Sequence, residues 1–278
     1  MTVRDVVTAS TEFLSRKDVP SPRVDAEHLV AEALGLTRLD LYLQYDRPLT
    51  ENETAACREL VRRRGTREPL AYILGEWGFR RLTLKVDERA LIPRPETEVV
   101  VERCLTLLED LPSLLVLDVG TGTGAIALAI ADERPDAAVT AIDVSEDALA
   151  LAAENATQTG LADRLTFLRH DLGRGLPGGP YGLVVSNPPY VEPEELGSLQ
   201  PEVRDWEPRA ALVGHGVTEQ VARGACDVLT PGGALVLEVA DGTASTVVEL
   251  LAELGYADVR ATSDFAGRDR VVEGRWVP

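Results

Sequence analysis

Leu114-Leu-Val-Leu-Asp-Val-Gly-Thr-Gly-Thr-Gly124 decides the fold. A continuous apolar run that stops at an acid reads as a strand buried on both faces, as in a parallel sheet. Glycines at every second position then allow a tight turn with close backbone approach, and the apolar stretch Ala125 to Ala131 opens a helix behind it. The same alternation continues outward. Strand-like runs cover Ala138 to Ile142, Leu165 to Leu168, Leu183 to Val185 and Ala234 to Val239, the last entered through Pro231-Gly-Gly233. Helical patterns lie between them at Glu146 to Ala156, Gln220 to Leu229 and Val247 to Leu254, and two more strands are expected near Val259 and Val271. Strands alternating with helices predict an α/β fold, a Rossmann-like doubly wound parallel sheet.

Upstream the pattern changes. Residues 1–75 read as a small helical domain: Val3, Val6, Val7, Phe13 and Leu14 recur near the helical period. Ser21-Pro22 offers a cap with proline at the first helical position, and that helix stops at Gly35. Thr50-Glu-Asn-Glu53 is a capping box for a third helix. It ends in Arg62-Arg-Arg-Gly-Thr-Arg67, a basic cluster read as a solvated helix end that complements the dipole. In residues 76–92 the period becomes two, with Leu82, Leu84 and Val86 alternating with polar residues, which predicts a β-hairpin joining the helical domain to a catalytic domain over 93–278.

The bulk numbers narrow the function. The 278 residues carry a formal charge of −18, so a broad electrostatic grip on DNA or RNA is not expected. No charge-free run is long enough to span a membrane, and the N-terminus shows no signal-peptide pattern. The three cysteines, Cys57, Cys104 and Cys226, have no metal-ligand spacing and suit a reducing cytosol. The expectation is a cytoplasmic protein without metal, nucleic acid or membrane partner.

Ligands of open α/β sheets bind at the carboxyl ends of the strands. Four strands end here in a polar acceptor: Asp118 before Gly120, Thr121, Gly122, Thr123 and Gly124, then Asp143, Asp171 and Asn187. The dinucleotide pattern of three glycines fails because Ala125 stands where the third would fall, and no lysine follows Gly124 as in a phosphate loop. Asp143, about twenty residues past the glycines, has the position that holds ribose hydroxyls. Together with Asp118 it fits a cofactor with a ribose and a cationic amino-acid tail, such as S-adenosylmethionine. Asn187-Pro-Pro-Tyr190 would face that cofactor. Prolines 188 and 189 stiffen the backbone and donate nothing, the Asn187 side-chain oxygen and the Pro188 carbonyl accept, and Tyr190 offers a flat face. Such a loop holds the two protons of a planar NH2 group and points its nitrogen at an electrophilic methyl, so the work is positioning.

Gly120-Thr-Gly-Thr-Gly124, Asn187-Pro-Pro-Tyr190 and Ile92-Pro-Arg-Pro-Glu-Thr-Glu98 together resemble the HemK/PrmC release-factor glutamine methyltransferases. The resemblance extends to Ser21-Pro-Arg-Val-Asp-Ala-Glu27, Glu68-Pro-Leu-Ala-Tyr-Ile-Leu-Gly75 and Asp205-Trp-Glu-Pro208. It implies methyl transfer from S-adenosylmethionine to the side-chain amide nitrogen of the glutamine in the Gly-Gly-Gln loop of peptide chain release factors. By position, it implies that Gly120 to Gly124 and Asp143 bind the cofactor, with Asp171 or Leu172 beside the adenine. Asn187, Pro188, Pro189 and Tyr190 would hold the amide. Arg94, Pro95 and Thr97 would line the methyl end, and the N-terminal helices of a monomeric enzyme would dock the release factor. Two segments differ from the family's usual form: Glu238-Val-Ala240, where glycine commonly ends the run, and the short Leu212-Val-Gly-His-Gly216. An N-methyltransferase paralogue acting on another protein or on a small amide or amine stays open at this point, and His215 reads as an exposed loop residue.

Overall fold

A computed structural model describes residues 1–278, which divide into two compact units. The first comprises Met1–Glu76 and Leu199–Trp206; the second comprises Trp77–Ser198 and Glu207–Pro278. The hairpin therefore belongs to the larger unit, apart from Glu76, instead of standing as a separate joint. Nothing in the sequence pattern marks Leu199–Trp206 as part of the first unit.

The first unit holds helices α1 (Val3–Ser15), α2 (Pro22–Leu34), α3 (Arg38–Leu43), α4 (Glu51–Gly65) and α5 (Leu70–Leu74). The short α3 and α5 are too brief for the helical period to show. Thr50 and Glu53 form the expected capping box, and Thr2 with Asp5 and Thr37 with Asp40 form two more. Pro22 does open α2, but Ser21 makes no side-chain cap bond. Valines 3, 6 and 7 pack with Val30, Leu41 and Cys57, while Leu14, Ala26, Leu29, Val61 and Ile73 form a second cluster.

The basic cluster is a solvated helix end at Arg62 but not at Arg64 or Arg67. Arg62 pairs with Glu59 and Arg63 with Glu68. Arg64 is 5% exposed; it donates to Asp25 at 2.7 Å, to Glu202 at 2.7 Å and to the Glu68 carbonyl at 3.1 Å. Arg67 also pairs with Glu202. Buried charges need such partners, because a lone ion out of water is costly. Glu27, likewise buried, accepts from Arg23, Arg38 and Tyr42. The Asp25, Glu27 and Glu68 of the family-like motifs are thus clamps of this small unit.

The second unit begins with the hairpin, β1 (Glu76–Phe79) and β2 (Leu82–Lys85), followed by α6 (Pro95–Leu108). Then come β3 (Leu115–Val119), α7 (Ala125–Glu133), β4 (Ala138–Asp143), α8 (Glu146–Gln158), β5 (Leu165–Arg169) and β6 (Tyr181–Ser186). After α9 (Pro201–Trp206) of the first unit, the chain adds α10 (Arg209–Leu212), α11 (Val217–Val228), β7 (Leu229–Glu238), α12 (Ala244–Glu253), β8 (Tyr256–Ser263) and β9 (Asp269–Trp276). The seven strands take the order β5-β4-β3-β6-β7-β9-β8. Along β3 and its neighbours, alternate residues enter two cores: Val116, Val139, Leu183 and Val236 pack with α6 and α7, whereas Leu117, Ile142, Val184 and Leu237 pack with α11 and α12. That is the double winding read from the sequence.

The sheet is mixed where a parallel one was expected. β9 runs antiparallel to both β7 and β8. The reason is local: Asp264-Phe-Ala-Gly267 closes a short turn, with Gly267 at φ 78° and the Asp264 N–H donating to the Arg268 carbonyl at 2.7 Å. So short a connection can only join antiparallel neighbours. β7 also starts earlier than expected, at Leu229, with its register to β6 shifting between Tyr181 and Leu183. No helix of the protein is long and apolar enough to cross a membrane.

Candidate active site

Parallel pairing brings the ends of β4, β3, β6 and β7 to one edge, since Val119 pairs with Ile142 and with Ser186, and Ser186 pairs with Leu237. A cavity of about 520 Å³ opens there, well sized for a nucleoside-like ligand.

The glycine turn forms its floor. Gly120, Gly122 and Gly124 all have positive φ, at 74°, 55° and 83°, a region closed to most side chains. The N–H groups of Gly120 and Thr121 both donate to the Ile142 carbonyl at 2.9 Å. Asp143 ties the turn to β4: Oδ2 accepts from Gly122 N at 3.0 Å, and Oδ1 accepts from Ser145 N at 2.9 Å. A carboxylate oxygen can accept more than one bond, so Asp143 can still receive hydroxyl donors from a ligand. Asp171 is exposed, lines the same cavity with Leu172, and accepts from Gly173 N at 2.9 Å.

Of the expected residues, Gly120, Thr121, Gly122, Thr123, Asp143, Asp171, Leu172, Asn187, Pro189, Arg94 and Thr97 line this one cavity. Five others do not. Gly124 caps α7 behind the turn, where a Cβ would come within 3.1 Å of Leu128 and 3.2 Å of Ala152. Pro95 is exposed at the start of α6. Pro188 is buried under the loop and Tyr190 is half-buried. Asp118 is fully buried beneath the turn; its Oδ2 accepts from the Thr121 hydroxyl at 2.7 Å, and its Oδ1 has no partner. Desolvation pushes the Asp118 carboxyl up to about 7, with Thr121 opposing the shift.

The reacting loop is braced from three sides. Ser186 donates to the Val119 carbonyl at 2.7 Å. Val191 N donates to the Leu212 carbonyl at 2.9 Å, and Val191 bridges to Val213. Gly214 lies so close that an added Cβ would be 2.5 Å from the Pro189 carbonyl oxygen. The unusual Leu212–Gly216 segment is therefore the backing of Pro189. His215, within it, is exposed and approaches only Glu192, at 3.3 Å.

Three contributors stand outside the expected site residues, although Glu207 and Glu238 lie in stretches the resemblance singles out. Buried Asn155 receives Lys85 N at 2.7 Å and donates to Lys85 O at 3.1 Å and Thr123 O at 2.9 Å, fastening the hairpin to the glycine turn. Buried Glu207 accepts from Ile92 N at 3.3 Å and pairs with Arg94, fixing the Ile92-Pro-Arg-Pro wall. Burial raises the Glu207 carboxyl above its usual range, against the pull of Arg94. Glu238, at the end of β7, accepts from the Thr97 hydroxyl at 2.6 Å.

Comparison with known proteins agrees with this geometry. The PrmC N-terminal domain matches residues 5–75, and the methyltransferase small domain matches residues 102–200. The release factor glutamine methyltransferase of Geobacter sulfurreducens is 42% identical over 278 residues, covering 99% of this chain and 96% of that one. The chain belongs to the release factor glutamine methyltransferase family. The relative of the same name from Deinococcus radiodurans is also 42% identical, with 99% of both chains covered. A methyltransferase structure from Pyrococcus furiosus shares the fold at 19% identity, with a TM-score of 0.51 over 71% of this chain and 90% of that one.

Proposed function

We propose that this member of the family transfers a methyl group from S-adenosylmethionine to the side-chain amide nitrogen of glutamine in the Gly-Gly-Gln loop of peptide chain release factors. The observation that carries the reading is the shared cavity: Asn187 and Pro189 line the same space as the glycine turn, Asp143 and Asp171.

The residues suit that cofactor. Asp143 and Asp171 are acceptors for ribose and adenine-edge donors, whereas the buried Asp118 supports the turn from beneath through the Thr121 hydroxyl. S-adenosylmethionine supplies an electrophilic methyl group when bound. The chain's own part is to orient the nucleophile. Asn187 Oδ1 accepts from the substrate NH2 group, Pro189 offers no competing donor, and Ile92, Pro93 and Val213 add apolar surface to the same cavity. Positioning of this kind accounts for large rate factors without a strong base, and asparagine is no base. The substrate's proton leaves to solvent once the nitrogen carries the methyl. The reaction belongs to the cytoplasm, where translation terminates, and needs a single copy of the chain.

Labelled-methyl transfer to a recombinant release factor tests the reading. Label should appear on wild-type release factor, vanish when its loop glutamine is replaced, and stay absent from DNA and RNA. Asn187→Ala should lower kcat by about a hundredfold or more while leaving the cofactor Kd nearly unchanged. Label on small amides or amines alone would favour the paralogue reading.

A further inference from the structure

Behind Asn187 lies a chain of two buried side chains from distant parts of the sequence. Asn187 Nδ2 donates to Thr97 Oγ1 at 3.3 Å, and Thr97 Oγ1 donates to Glu238 Oε2 at 2.6 Å. Thr97 is 4% exposed and Glu238 is 2% exposed. Thr97 and Asn187 line the cavity, whereas Glu238 stands behind them. We propose that Thr97 and Glu238 are positioning residues that fix which edge of the Asn187 amide faces the substrate, so that the substrate's nitrogen, and not its oxygen, is the atom presented. The proposal rests on the glutamine-amide reading above.

The argument is one of hydrogen-bond polarity. A threonine hydroxyl has one proton and two lone pairs, and an ionised carboxylate only accepts. Glu238 therefore takes the Thr97 proton, and the Thr97 oxygen is left as an acceptor. That oxygen is satisfied by the Asn187 NH2 group, which turns Asn187 Oδ1 toward the cavity. A flipped Asn187 would set its own oxygen against the Thr97 oxygen with no proton between them, which is disfavoured by about tenfold or more. An oxygen facing the cavity pairs with the NH2 edge of a substrate amide and repels its carbonyl edge. This matters because the carbonyl oxygen of an amide is its more basic atom. Without a fixed orientation, the Asn187 side chain itself would not prefer nitrogen.

The state of Glu238 has several neighbours to answer to. Glu96 opposes its charge, Arg270 and Arg94 favour it, and Tyr190 lies within the same field. Arg270 is shared with Asp264, Arg94 with Glu207, and Glu96 with Arg268. Burial raises the Glu238 carboxyl to about 7. A protonated Glu238 can donate to Thr97, which frees the Thr97 proton and removes the rule that orients Asn187. Turnover should thus decline as pH falls through that range.

Thr97→Val, Thr97→Ser and Glu238→Gln test the proposal on the full chain. The readouts are kcat and KM with a recombinant release factor, cofactor Kd by calorimetry, and the side-chain NH2 resonances of 15N-labelled Asn187. Thr97→Val, close in volume, should lower kcat about tenfold or more with unchanged cofactor Kd and displaced Asn187 NH2 signals. Thr97→Ser should restore both. Glu238→Gln should lower kcat and flatten the acid limb of the pH profile. Wild-type kcat and unmoved Asn187 signals in Thr97→Val would overturn the positioning role. If wild-type protein fails to methylate the release factor, the glutamine reading fails instead, and the Asn187 resonances still decide whether Thr97 orients the amide.

Discussion

The backbone N–H of Gly122 donates to Asp143 Oδ2 at 3.0 Å, so one carboxylate both shapes the glycine turn and faces the cavity that the turn floors. Asp143→Ala removes this bond, the bond from Ser145 N, and the acceptors offered to a ligand. Hydrogen bonds to a charged acceptor contribute about 1.5–3 kcal/mol each, so cofactor affinity should fall about 10- to 100-fold. Calorimetric titration with S-adenosylmethionine reads this directly, and an unchanged Kd would remove Asp143 from the cofactor site.

Gly214 supports the reacting loop by being small. An alanine there would place its Cβ 2.5 Å from the Pro189 carbonyl oxygen and 2.9 Å from Val217. Overpacking of this kind costs about 1–3 kcal/mol when the neighbours must move. Gly214→Ala should lower kcat more than it lowers Tm, because the loop that yields carries Asn187 and Pro189. Equal kcat in variant and wild type would mean that Leu212–Gly216 does not set the loop's position.

Asn155 is fully buried and satisfies three backbone groups on two segments. Asn155→Ala removes the bonds to Lys85 N, Lys85 O and Thr123 O. The expected loss is about 2–3 kcal/mol in denaturant unfolding, with weaker cofactor binding as the turn loosens. Stability within error of wild type would show that water replaces the side chain at no cost.

Asp118 gives the protein a pH dependence of definite sign. Its folded carboxyl holds a proton up to about pH 7, whereas the ordinary value is 3.8. Between those values the folded state binds more protons than the unfolded state, so stability falls as pH rises toward 7. Asp118→Asn removes the titration. Relative to that variant, ligand-free wild type should lose on the order of 2–4 kcal/mol between pH 4 and pH 8. Parallel stability curves would place a compensating charge beside Asp118.

Much of the site was legible because parallel strands deliver their ends to a common edge. Asp143, Asp171 and Asn187 each follow an apolar run, and the topology alone sets them together. The reversed β9 was hidden because its buried run, Val271 to Glu273, reads like any inner strand; only the short turn at Asp264–Gly267 betrays its direction. Brackets from far away were hidden for a different reason. Thr97 and Glu238 are 141 positions apart, and Ile92 and Glu207 are 115 apart, so no local pattern links them. The arginine cluster is opaque in sequence because charge alone suggests exposure. Arg64 is buried by carboxylates, Asp25 and Glu202, that lie 39 and 138 positions distant.

The most direct measurement is mass spectrometry of a recombinant release factor after incubation with this protein and S-adenosylmethionine, with fragmentation to locate any added mass. The account predicts a gain of one methyl on the side-chain nitrogen of the Gly-Gly-Gln glutamine, and no gain with the Asn187→Ala variant. A methyl at another residue, or an unmodified release factor from protein that binds the cofactor, would contradict it.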